Sequence, residues 1–346
     1  MFTVYNEIMR ILENTSLEKF NTFHVDVKAK FFAEIANPND FLTLLDNGML
    51  TENKYYILGS GSNTLFTENF DGVIIKNKLK RMTYAKVTEN FNIVEVASGE
   101  NWHEFVSIMN KNRLFGLENL AYIPGEVGAA PIQNIGAYGV EQKDFFDSLD
   151  VINIETNQKE TFSLEDCQFK YRDSIFKHSA KREYFVTSVR YRLNKEPVLN
   201  YQYSSLANEI KKFAIENPDT QYIFDTIIRL RRNRLPDHKT LGNAGSFFKN
   251  PIISNEYTEK LMNKYPELPV FRESDTHKKI PAAFLIEKAG WKGKRDGNVG
   301  IFENHALILV NYGGANGREI LDFANKIIGD VFEKFSINLE PEVVII

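Results

Sequence analysis

The chain has 346 residues, a balanced composition and a small net charge, which together exclude several classes of protein. At ~100–200 residues per domain, this length predicts two or three domains. The 42 Lys and Arg residues against 46 Asp and Glu residues give a net charge of −4. Nucleic-acid-binding and membrane-surface proteins usually show a basic excess, so neither class is favoured. The one cysteine, Cys167, excludes an intramolecular disulfide and is typical of a reducing compartment.

The N-terminal segment does not have the pattern of a secretory signal. Apolar and polar side chains alternate in residues 1–8, and Glu7 and Arg10 interrupt any apolar core. The apolar runs elsewhere are short, as in residues 306–310 and 343–346, and none approaches the ~20 residues that span a bilayer. We therefore expect a protein that is neither secreted nor embedded in a membrane.

The first predicted elements are a strand, a helix and a second strand. Residues 28–36 and 54–58 are typical of strands, and the second strand leads directly into a Gly/Ser loop at residues 59–63. Between the strands, residues 37–40 carry short polar side chains that cap a helix, and Gly48 marks its end. The apolar face of this helix consists of Phe41, Leu42, Leu44 and Leu45.

Strand patterns dominate the second region of the chain. One helix is predicted there, because Trp102, Phe105, Val106 and Met109 recur at i, i+3, i+4 and i+7, with Gly116 beyond its end. The strands of this region are predicted at residues 73–75, 93–97, 149–154 and 184–191.

A third region begins near residue 235, after the basic stretch from Arg229 to Arg234. A strand is predicted at residues 306–311, and Pro341 precedes a last apolar strand. Between the two, a long helix has an apolar face made of Ile320, Phe323, Ala324, Ile327, Ile328 and Val331.

Two glycine-rich segments are candidates for a nucleotide cofactor site. The first is the loop at residues 59–63, and the second, residues 123–139, holds four glycines and two prolines with Glu126 as its only charge. Glycine lets a backbone approach a ligand closely and point its N–H groups at phosphate, although ordinary turns are the alternative interpretation. Thr64 replaces the third glycine of a Rossmann fingerprint, and no P-loop lysine follows. Any dinucleotide site here therefore has neither Rossmann nor Walker geometry.

Residues 242–251 place Ser246 between a glycine and two aromatic side chains. Such a serine is a candidate nucleophile or proton donor, although Phe248 breaks the Gly-x-Ser-x-Gly elbow and a tight turn is the alternative. The six scattered histidines lack metal-ligand spacing, so no metal site is predicted. The arginine stretch suits a solvated face, while Arg234 at its end is also a candidate phosphate ligand.

These segments together resemble the UDP-N-acetylenolpyruvoylglucosamine reductase family, flavoenzymes of bacterial peptidoglycan precursor synthesis. The resemblance runs from end to end, and the insert carrying Tyr201 is similar to that of the longer, type I form. The matching stretches are residues 21–23, 58–66, 99–102, 116–139, 171–174, 242–251 and 339–343.

The resemblance implies an α+β protein with a FAD-binding fold of the vanillyl-alcohol-oxidase (PCMH) type. Two flavin-binding subdomains are then followed by a C-terminal α+β substrate-binding domain. The first subdomain is expected at residues 1–78, joined by a C-terminal strand at about residues 337–346. The second covers residues 79–235, with a tyrosine loop near residues 197–205, and residues 236–336 bind substrate. This fold holds FAD between two domains, which agrees with the missing Rossmann fingerprint.

The resemblance also implies an activity, the reduction of UDP-N-acetylglucosamine enolpyruvate to UDP-N-acetylmuramate. Reducing equivalents pass from NADPH through FAD to the β-carbon of the enolpyruvyl ether, and NADPH and the substrate bind in turn. The charge left on the α-carbon and the carboxylate requires a nearby cation and a proton donor. In the family pattern, Arg172 matches the arginine at the carboxylate, Ser246 the proton donor and Glu342 the catalytic carboxylate.

The resemblance assigns the ligand contacts residue by residue. Substrate binding is assigned to Tyr138, Tyr201, Arg234, Asn250, Lys292 and His305. Cofactor binding is assigned to Gly59, Ser60, Gly61, Ser62, Asn63, Tyr122, Ile123, Pro124, Gly125, Gly128, Ala129, Ile132, Gln133, Asn134, Gly136, Ala137 and Gly139.

Four positions depart from the family pattern. Arg234 stands where relatives often have lysine, and His305 where some have glutamine. Val344 replaces an arginine that contacts the flavin, and Phe271 lacks an aromatic hydroxyl near the substrate.

Two other functions stay open. They are an oxidase or dehydrogenase of the same flavin fold and a non-catalytic nucleotide-sugar sensor. The expected partners are NADPH and the enolpyruvyl substrate, without nucleic acid or membrane. The chain is expected to act as a monomer in a bacterial cytoplasm.

Overall fold

The computed structural model describes residues 9–178, 183–213 and 217–346, so the stretch used above to exclude a signal sequence lies mostly outside the described residues. The chain divides into two compact units. Unit 1 consists of the residues up to Thr15 together with Lys28–Ser60 and Phe70–Arg231. Unit 2 consists of Ser16–Val27, Gly61–Asn69 and Arg232–Ile346. The finer division into three domains stays a prediction.

The elements of the first part of the chain, in order, are β1 (Ile11–Ser16), β2 (Lys28–Ile35), α1 (Pro38–Asp46), α2 (Met49–Glu52), β3 (Lys54–Leu58), β4 (Thr64–Leu65), β5 (Phe70–Asn77), β6 (Met82–Val87), β7 (Phe91–Ala97), α3 (Trp102–Lys111), β8 (Gly136–Ala137), β9 (Val140–Glu141), β10 (Phe146–Asn153), β11 (Lys159–Ser163) and β12 (Tyr184–Asn194). Those of the second part are α4 (Ser204–Lys212), α5 (Thr220–Arg234), β13 (Ile252–Ser254), α6 (Asn255–Lys264), β14 (Phe271–Arg272), β15 (His277–Lys279), α7 (Ala282–Lys288), β16 (Arg295–Asp296), β17 (Val299–Ile301), β18 (Leu309–Asn311), α8 (Gly317–Phe335) and β19 (Val344–Ile345).

The first sheet of unit 1 has the order β1-β2-β5-β3, with β2 and β3 both parallel to β5. The predicted strand-helix-strand is therefore confirmed, with β5 inserted between its two strands. Asn37 caps α1 by accepting from the N–H of Asp40, whose carboxylate accepts from the N–H of Asn37 in return. The buried face of α1 shares a core with this sheet, and its Phe41 stacks on Phe185 of β12 with ring centroids 4.3 Å apart.

The second sheet of unit 1 has the order β11-β10-β12-β7-β6, and every neighbouring pair is antiparallel. The predicted apolar face of α3 is buried in the same core as apolar residues of α5 and Tyr191 of β12. Strand β10 begins at Phe146, three residues before the predicted start, because its pairing with β12 extends as far as Tyr191.

Unit 2 contains two small sheets, β13-β15-β14 and β16-β17-β18, and a parallel pair of β4 with β19. The predicted apolar face of α8 is buried except for the partly exposed Ile328. The strand predicted at residues 306–311 is wrong for residues 306 and 307, since a turn closes there through the hydrogen bond from the N–H of Ile308 to the carbonyl of His305. The run is apolar because it is buried, and burial does not require an extended backbone. Within the described ranges, no helix is both long and apolar enough to cross a membrane.

Candidate functional site

In unit 1, the Gly/Ser loop begins directly after β3 with the peptide group that joins Gly59 to Ser60. The N–H of Ser60 donates to Glu126 Oε2 at 2.6 Å, and the carbonyl oxygen of Gly59 accepts from Lys76 Nζ at 2.7 Å. Glu126 and Lys76 also form an ion pair of 3.4 Å, and each side chain is only 13% exposed. One ion pair therefore holds both polar atoms of a single peptide group.

In unit 2, the rest of the loop is fixed by main-chain contacts. Gly61 has a φ of +65°, and a Cβ at this position would lie 2.2 Å from the carbonyl oxygen of Phe20, so only glycine fits. Asn63 donates from Nδ2 to the carbonyl oxygen of Glu342 at 3.2 Å, and its own carbonyl accepts from the N–H of Val344. The side chain of Ser62, like that of Asn63, is partly exposed.

Hydrogen bonds fix the strip at residues 122–139 to its neighbours in unit 1, beginning with Tyr122. The N–H of Tyr122 donates to His103 Nδ1 at 3.1 Å, and its carbonyl oxygen accepts from Arg231 Nε at 3.0 Å. The carbonyl of Gly125 accepts from the N–H of Trp102, and the N–H of Gly128 donates to the carbonyl of Ser98. Both glycines are buried, so they contribute to the frame of the strip.

Apolar side chains of the strip remain accessible. The accessible residues of the strip that were predicted to bind the cofactor are Tyr122, Ile123, Pro124, Ala129, Ile132, Gln133, Gly136, Ala137 and Gly139, the most exposed being Pro124, Ala129 and Gly139. Five of these nine residues have an aliphatic side chain, which is the chemistry that an aromatic ring system requires of its binding surface. The residues that are present therefore fit a flavin.

Asn134 is a buried hub within the strip. Its Nδ2 donates to Glu141 Oε2 at 2.9 Å and to the carbonyl of Lys170 at 3.0 Å, and its Oδ1 accepts from Gln142 Nε2 and the N–H of Lys143. This side chain was assigned to the cofactor, yet it is fully buried and occupied by the protein itself.

Arg172 lies in a tight turn in which Lys170 and Asp173 exchange two main-chain hydrogen bonds of 3.1 Å. Its guanidinium donates from Nη2 to the carbonyl oxygen of Gly136 and from Nη1 to that of Asn134. The structure therefore brings the predicted catalytic arginine onto the predicted flavin strip.

Backbone strain is concentrated at this site. Among the described residues, ten that are not glycine have a positive φ, and four of them are Tyr122, Asn134, Tyr138 and Arg172, with φ between 45° and 59°. All four were assigned to the site from the sequence. Positive φ is unfavourable for such side chains, and backbone strain of this kind is typical of functional sites.

The tyrosine loop is tied to the strip by a residue that the sequence did not indicate. Asn119 donates from Nδ2 to the carbonyl of Tyr138 at 3.0 Å and to the carbonyl of Asn200 at 2.7 Å. The ring of Tyr138 makes an edge contact with Tyr203, with centroids 5.8 Å apart, and the partly buried Tyr201 packs against the core.

Arg231 is a second arginine near Arg172 in unit 1. Burial lowers the pKa of Arg231, and the like charge of Arg172 lowers it further, against the opposing influence of Tyr138 and Tyr122. The sequence interpretation favoured a solvated face for the arginine stretch, with Arg234 as a candidate phosphate ligand, and this is wrong for Arg231 because its side chain donates to the carbonyl of Tyr122.

Ser246 and Glu342 are brought together in unit 2 by main-chain pairing. Phe248 pairs with Pro341, the N–H of Glu342 donates to the carbonyl of Phe247, and Ser246 pairs on its other side with Ile308. The segment around Ser246 therefore lies between two extended segments, and Ser246 and Glu342 are one register position apart.

The other substrate candidates of unit 2 have separate surroundings. Asn250 Oδ1 accepts from the N–H of Ala282 at the start of α7, and His305 Nδ1 accepts from the N–H of Leu307. Lys292 is exposed and forms an ion pair of 3.0 Å with Glu287. Arg234 is the exposed last residue of α5.

Two departures from the family pattern lie on the surface. Val344 of β19 is 36% exposed and Phe271 of β14 is 40% exposed. Val344 supplies no cation in place of the family's arginine, and Phe271 supplies no hydroxyl.

A cleft of about 530 Å³ in unit 1 lies apart from all of these residues, since its lining includes Asp150, Thr161 and Arg190 but none of the predicted site residues. No group of His, Cys, Asp and Glu residues in the described part of the chain has the arrangement of a metal site.

Sequence reasoning missed Lys76, Asn119 and Arg231, and it noted Glu126 only as a lone charge. Each acts on a partner that is distant in sequence, with separations of 50 residues for Lys76 and Glu126 and 109 for Arg231 and Tyr122. The one available signal was the isolated charge of Glu126 within an otherwise uncharged strip.

Two family profiles match this chain. One, described as UDP-N-acetylenolpyruvoylglucosamine reductase, C-terminal domain, matches residues 236–346, and the other, described as FAD binding domain, matches residues 36–158. The UDP-N-acetylenolpyruvoylglucosamine reductase of Flavobacterium johnsoniae is 43% identical over 98% of this chain and 100% of its own length. That of Porphyromonas gingivalis is 39% identical over 97% of this chain and 99% of its own length.

The crystal structure of the UDP-N-acetylenolpyruvylglucosamine reductase of Thermus caldophilus aligns with this chain at a TM-score of 0.67 and 23% identity. The alignment covers 97% of this chain and 99% of the Thermus chain. This likeness confirms the expected α+β fold class. The full-length identity to the curated relatives confirms the resemblance found in the sequence. The chain belongs to the UDP-N-acetylenolpyruvoylglucosamine reductase family.

Proposed function

We infer that this chain is a FAD-dependent oxidoreductase that reduces UDP-N-acetylglucosamine enolpyruvate to UDP-N-acetylmuramate with NADPH as the reductant. Membership in the reductase family and the FAD-binding profile over residues 36–158 support this activity. The loop at residues 59–63 and the strip at residues 122–139 would hold FAD, which when bound supplies the hydride for the β-carbon of the substrate.

Arg172 stabilises the negative charge that develops on the substrate carboxylate. A planar guanidinium suits a carboxylate, because two parallel N–H groups can meet its two oxygens. The carbonyl oxygens of Asn134 and Gly136 already orient the side chain, so little conformational freedom is lost when the substrate arrives. This attachment to the strip is the observation that carries the proposal for Arg172.

Ser246 delivers a proton from Oγ to the α-carbon of the substrate. Glu342 is the catalytic carboxylate of the same site. A serine hydroxyl is a weak acid, so its position and the basicity of the developing carbanion must compensate. The hydrogen bond from the N–H of Glu342 to the carbonyl of Phe247 holds the two segments against each other, which supports a common location for Ser246 and Glu342.

The substrate contacts are proposed for residues of both units. In unit 1, Tyr138 and Tyr201 would bind the uridine diphosphate region, with Asn119 holding the carbonyls of Tyr138 and Asn200. In unit 2, Arg234 and Lys292 supply exposed cations for the diphosphate, and Asn250 and His305 supply polar contacts.

NADPH oxidation by the purified protein, measured with and without UDP-N-acetylglucosamine enolpyruvate, tests this function directly. We expect a yellow protein whose flavin spectrum is bleached by NADPH in the absence of oxygen and restored by the enolpyruvyl substrate. The product should carry two more hydrogens than the substrate by mass spectrometry. In deuterated water, we expect solvent deuterium at the α-carbon, where the proton arrives.

A colourless protein that FAD cannot reconstitute would contradict the proposal. Oxygen consumption with an alcohol substrate and no need for NADPH would support an oxidase of the same fold. Binding of the nucleotide sugar without turnover would support a sensor.

We further propose that NADPH and the enolpyruvyl substrate bind in turn, for which parallel lines in double-reciprocal plots are expected. That the active form is a monomer stays a prediction. The cytoplasmic location stays a prediction from Cys167, a free and buried thiol.

A further inference from the structure

One peptide group at the start of the Gly/Ser loop is held at both of its polar atoms. Lys76 Nζ donates to the carbonyl oxygen of Gly59 at 2.7 Å, and the N–H of Ser60 donates to Glu126 Oε2 at 2.6 Å. These two atoms belong to the same peptide bond, so its plane cannot rotate without breaking one hydrogen bond or both. A rotated peptide would present the carbonyl oxygen where the N–H now lies.

The two side chains that hold this peptide come from separate parts of unit 1. Lys76 lies on β5, directly opposite Leu58 in the parallel pairing of β5 with β3, and its side chain reaches the residue that follows. Glu126 lies in the strip at residues 122–139, where it is the only charge. We define Lys76 and Glu126 as the clamp. Through Glu126, the clamp connects the Gly/Ser loop to the strip, two segments that were both assigned to FAD.

The surroundings make this contact strong. Both side chains are 13% exposed, and their charged groups are 3.4 Å apart. Hydrogen bonds to ionised groups are shorter and about twice as strong as neutral ones, particularly away from water. A Cβ on Gly59 would lie 2.2 Å from Glu126 Oε2, so a side chain at residue 59 would displace the carboxylate.

We propose that Lys76 and Glu126 are positioning residues that set the orientation of the Gly59–Ser60 peptide and so preform the loop that receives the diphosphate of FAD. In this arrangement the N–H of Ser60 is engaged by Glu126, so the clamp sets the direction in which the carbonyl and the N–H of this peptide point. This inference rests on the proposed function, because it assumes that FAD is the cofactor.

The clamp is tested by measuring FAD binding to the flavin-free full chain, with quenching of flavin fluorescence as the readout. We expect Glu126→Ala to weaken FAD binding about tenfold, the size of effect produced by losing one charge-assisted hydrogen bond. Glu126→Gln keeps an acceptor for the N–H of Ser60 and should bind FAD within about threefold of the parent protein. Lys76→Met should weaken binding like Glu126→Ala, and the double variant should lose less than the sum of the two effects.

Riboflavin separates a clamp from general damage, since it has the ring but lacks the diphosphate. Glu126→Ala should change riboflavin binding less than about threefold while FAD binding falls about tenfold. Glu34→Ala is the matched control, because Glu34 of β2 lies in the same sheet as Lys76 and forms an exposed ion pair of 2.6 Å with Lys78. It should bind both flavins like the parent protein.

Three outcomes would overturn the clamp. They are unchanged FAD binding by Glu126→Ala, an equal loss for FAD and riboflavin, and tighter FAD binding by Glu126→Gln, which would make the carboxylate a competitor of the diphosphate. If Glu126→Ala does not fold, Lys76→Met and Glu126→Gln decide between the same outcomes. Failure of the parent protein to bind FAD would instead contradict the proposed function.

Discussion

Arg172 donates a hydrogen bond from Nη2 to the carbonyl oxygen of Gly136 at 2.5 Å. The bond joins the proposed substrate-binding cation to a main-chain atom of the proposed flavin strip. Movement of the strip at this point therefore moves the cation, so the two parts of the site in unit 1 are expected to respond to substitutions together.

Arg172→Lys tests the cation. Lysine keeps the charge but lacks the planar fork that reaches both carbonyl oxygens and a carboxylate. We expect kcat to fall about 10²–10³-fold, as it does when one donor to a developing anion is lost, while NADPH still reduces the flavin. Steady-state and single-turnover kinetics measure the two steps separately. Arg272→Lys, in an exposed ion pair with Asp275, should leave both unchanged.

Ser246→Ala tests the proton donor. Hydride transfer from NADPH should proceed at the parent rate, whereas turnover of the enolpyruvyl substrate should fall at least about 100-fold because general acid catalysis is lost. Stopped-flow absorbance of the flavin measures both phases. Ser163→Ala, at the exposed end of β11, serves as the control. Normal turnover by Ser246→Ala would show that another group supplies the proton.

Asn134→Asp tests the buried hub. The substitution replaces a donor by a carboxylate oxygen that faces Glu141 and the carbonyl of Lys170. We expect a loss of about 2–4 kcal/mol in the free energy of unfolding, and a lower kcat because the turn that carries Arg172 is released. Denaturant unfolding and steady-state kinetics provide the measurements.

Asn157→Asp is the matched control for Asn134→Asp. Asn157 also has a positive φ, of 59°, but it is exposed. The control variant should unfold within about 0.5 kcal/mol of the parent protein. Equal effects at both positions would contradict the role of Asn134 as a hub.

Cys167 should be inert in the folded protein. Burial raises the pKa of the Cys167 thiol to about 12, and the negative charge of Asp166 contributes to the shift. At pH 8, about 10⁻⁴ of the thiol is then ionised, against about 0.2 for an ordinary cysteine. Iodoacetamide should label the protein only after denaturation. Because the unfolded chain loses this proton first, the free energy of unfolding should also fall as pH rises above about 8.5. Rapid labelling of the native protein would show that the thiol is reachable.

Arg190→Met tests the ion pairs across three strands of the second sheet. Arg190 lies 2.5 Å from Asp150 and 2.8 Å from Glu95. Burial alone raises the pKa of Asp150, but the hydrogen bonds and charge of Arg190, with further hydrogen bonds from Thr161 and Ser188, outweigh it and hold that pKa below its ordinary value. The resulting stability is present above the unfolded pKa of about 3.9 and is lost as pH falls through the folded pKa.

At pH 7, Arg190→Met should lower the free energy of unfolding by about 1–3 kcal/mol, because two carboxylates then face each other without a cation. The difference from the parent protein should narrow as pH is lowered and the carboxylates are protonated. Denaturant unfolding from pH 3 to pH 7 measures both. Lys30→Met, in an exposed pair with Asp71, is the control. A difference that is independent of pH would exclude an electrostatic origin.

The local elements of the fold could be predicted from the sequence wherever one short segment contains the whole signal. The capping of α1 by Asn37 and Asp40 is an example, as is the periodicity of α8. The strand prediction failed at residues 306 and 307 because their apolar composition reflects burial in a turn. Its conformation depends on contacts that composition does not encode.

The candidate site was predictable to the extent that motifs identify positions. Family motifs singled out Asn134 and Arg172, and the positive φ of both residues agrees with a functional site. They did not show that the side chain of Asn134 makes its hydrogen bonds with other residues of the protein. Roles such as those of Lys76 and Glu126 arise only when strands and loops meet in space, so no single segment of the sequence contains them.

The pairing of β4 with β19 has a consequence for the order in which the site is made. The carbonyl of Asn63 accepts from the N–H of Val344, and Asn63 Nδ2 reaches Glu342 across 279 residues of chain. A ribosome synthesises residues 61–63 early and residues 342–344 only at the end of that long interval. These contacts of the loop therefore cannot form on a nascent chain that has not yet reached residue 344, and closing such a long interval makes them a non-local step of folding. During synthesis, a flavin would meet a loop that lacks this support until the partner strand has been released.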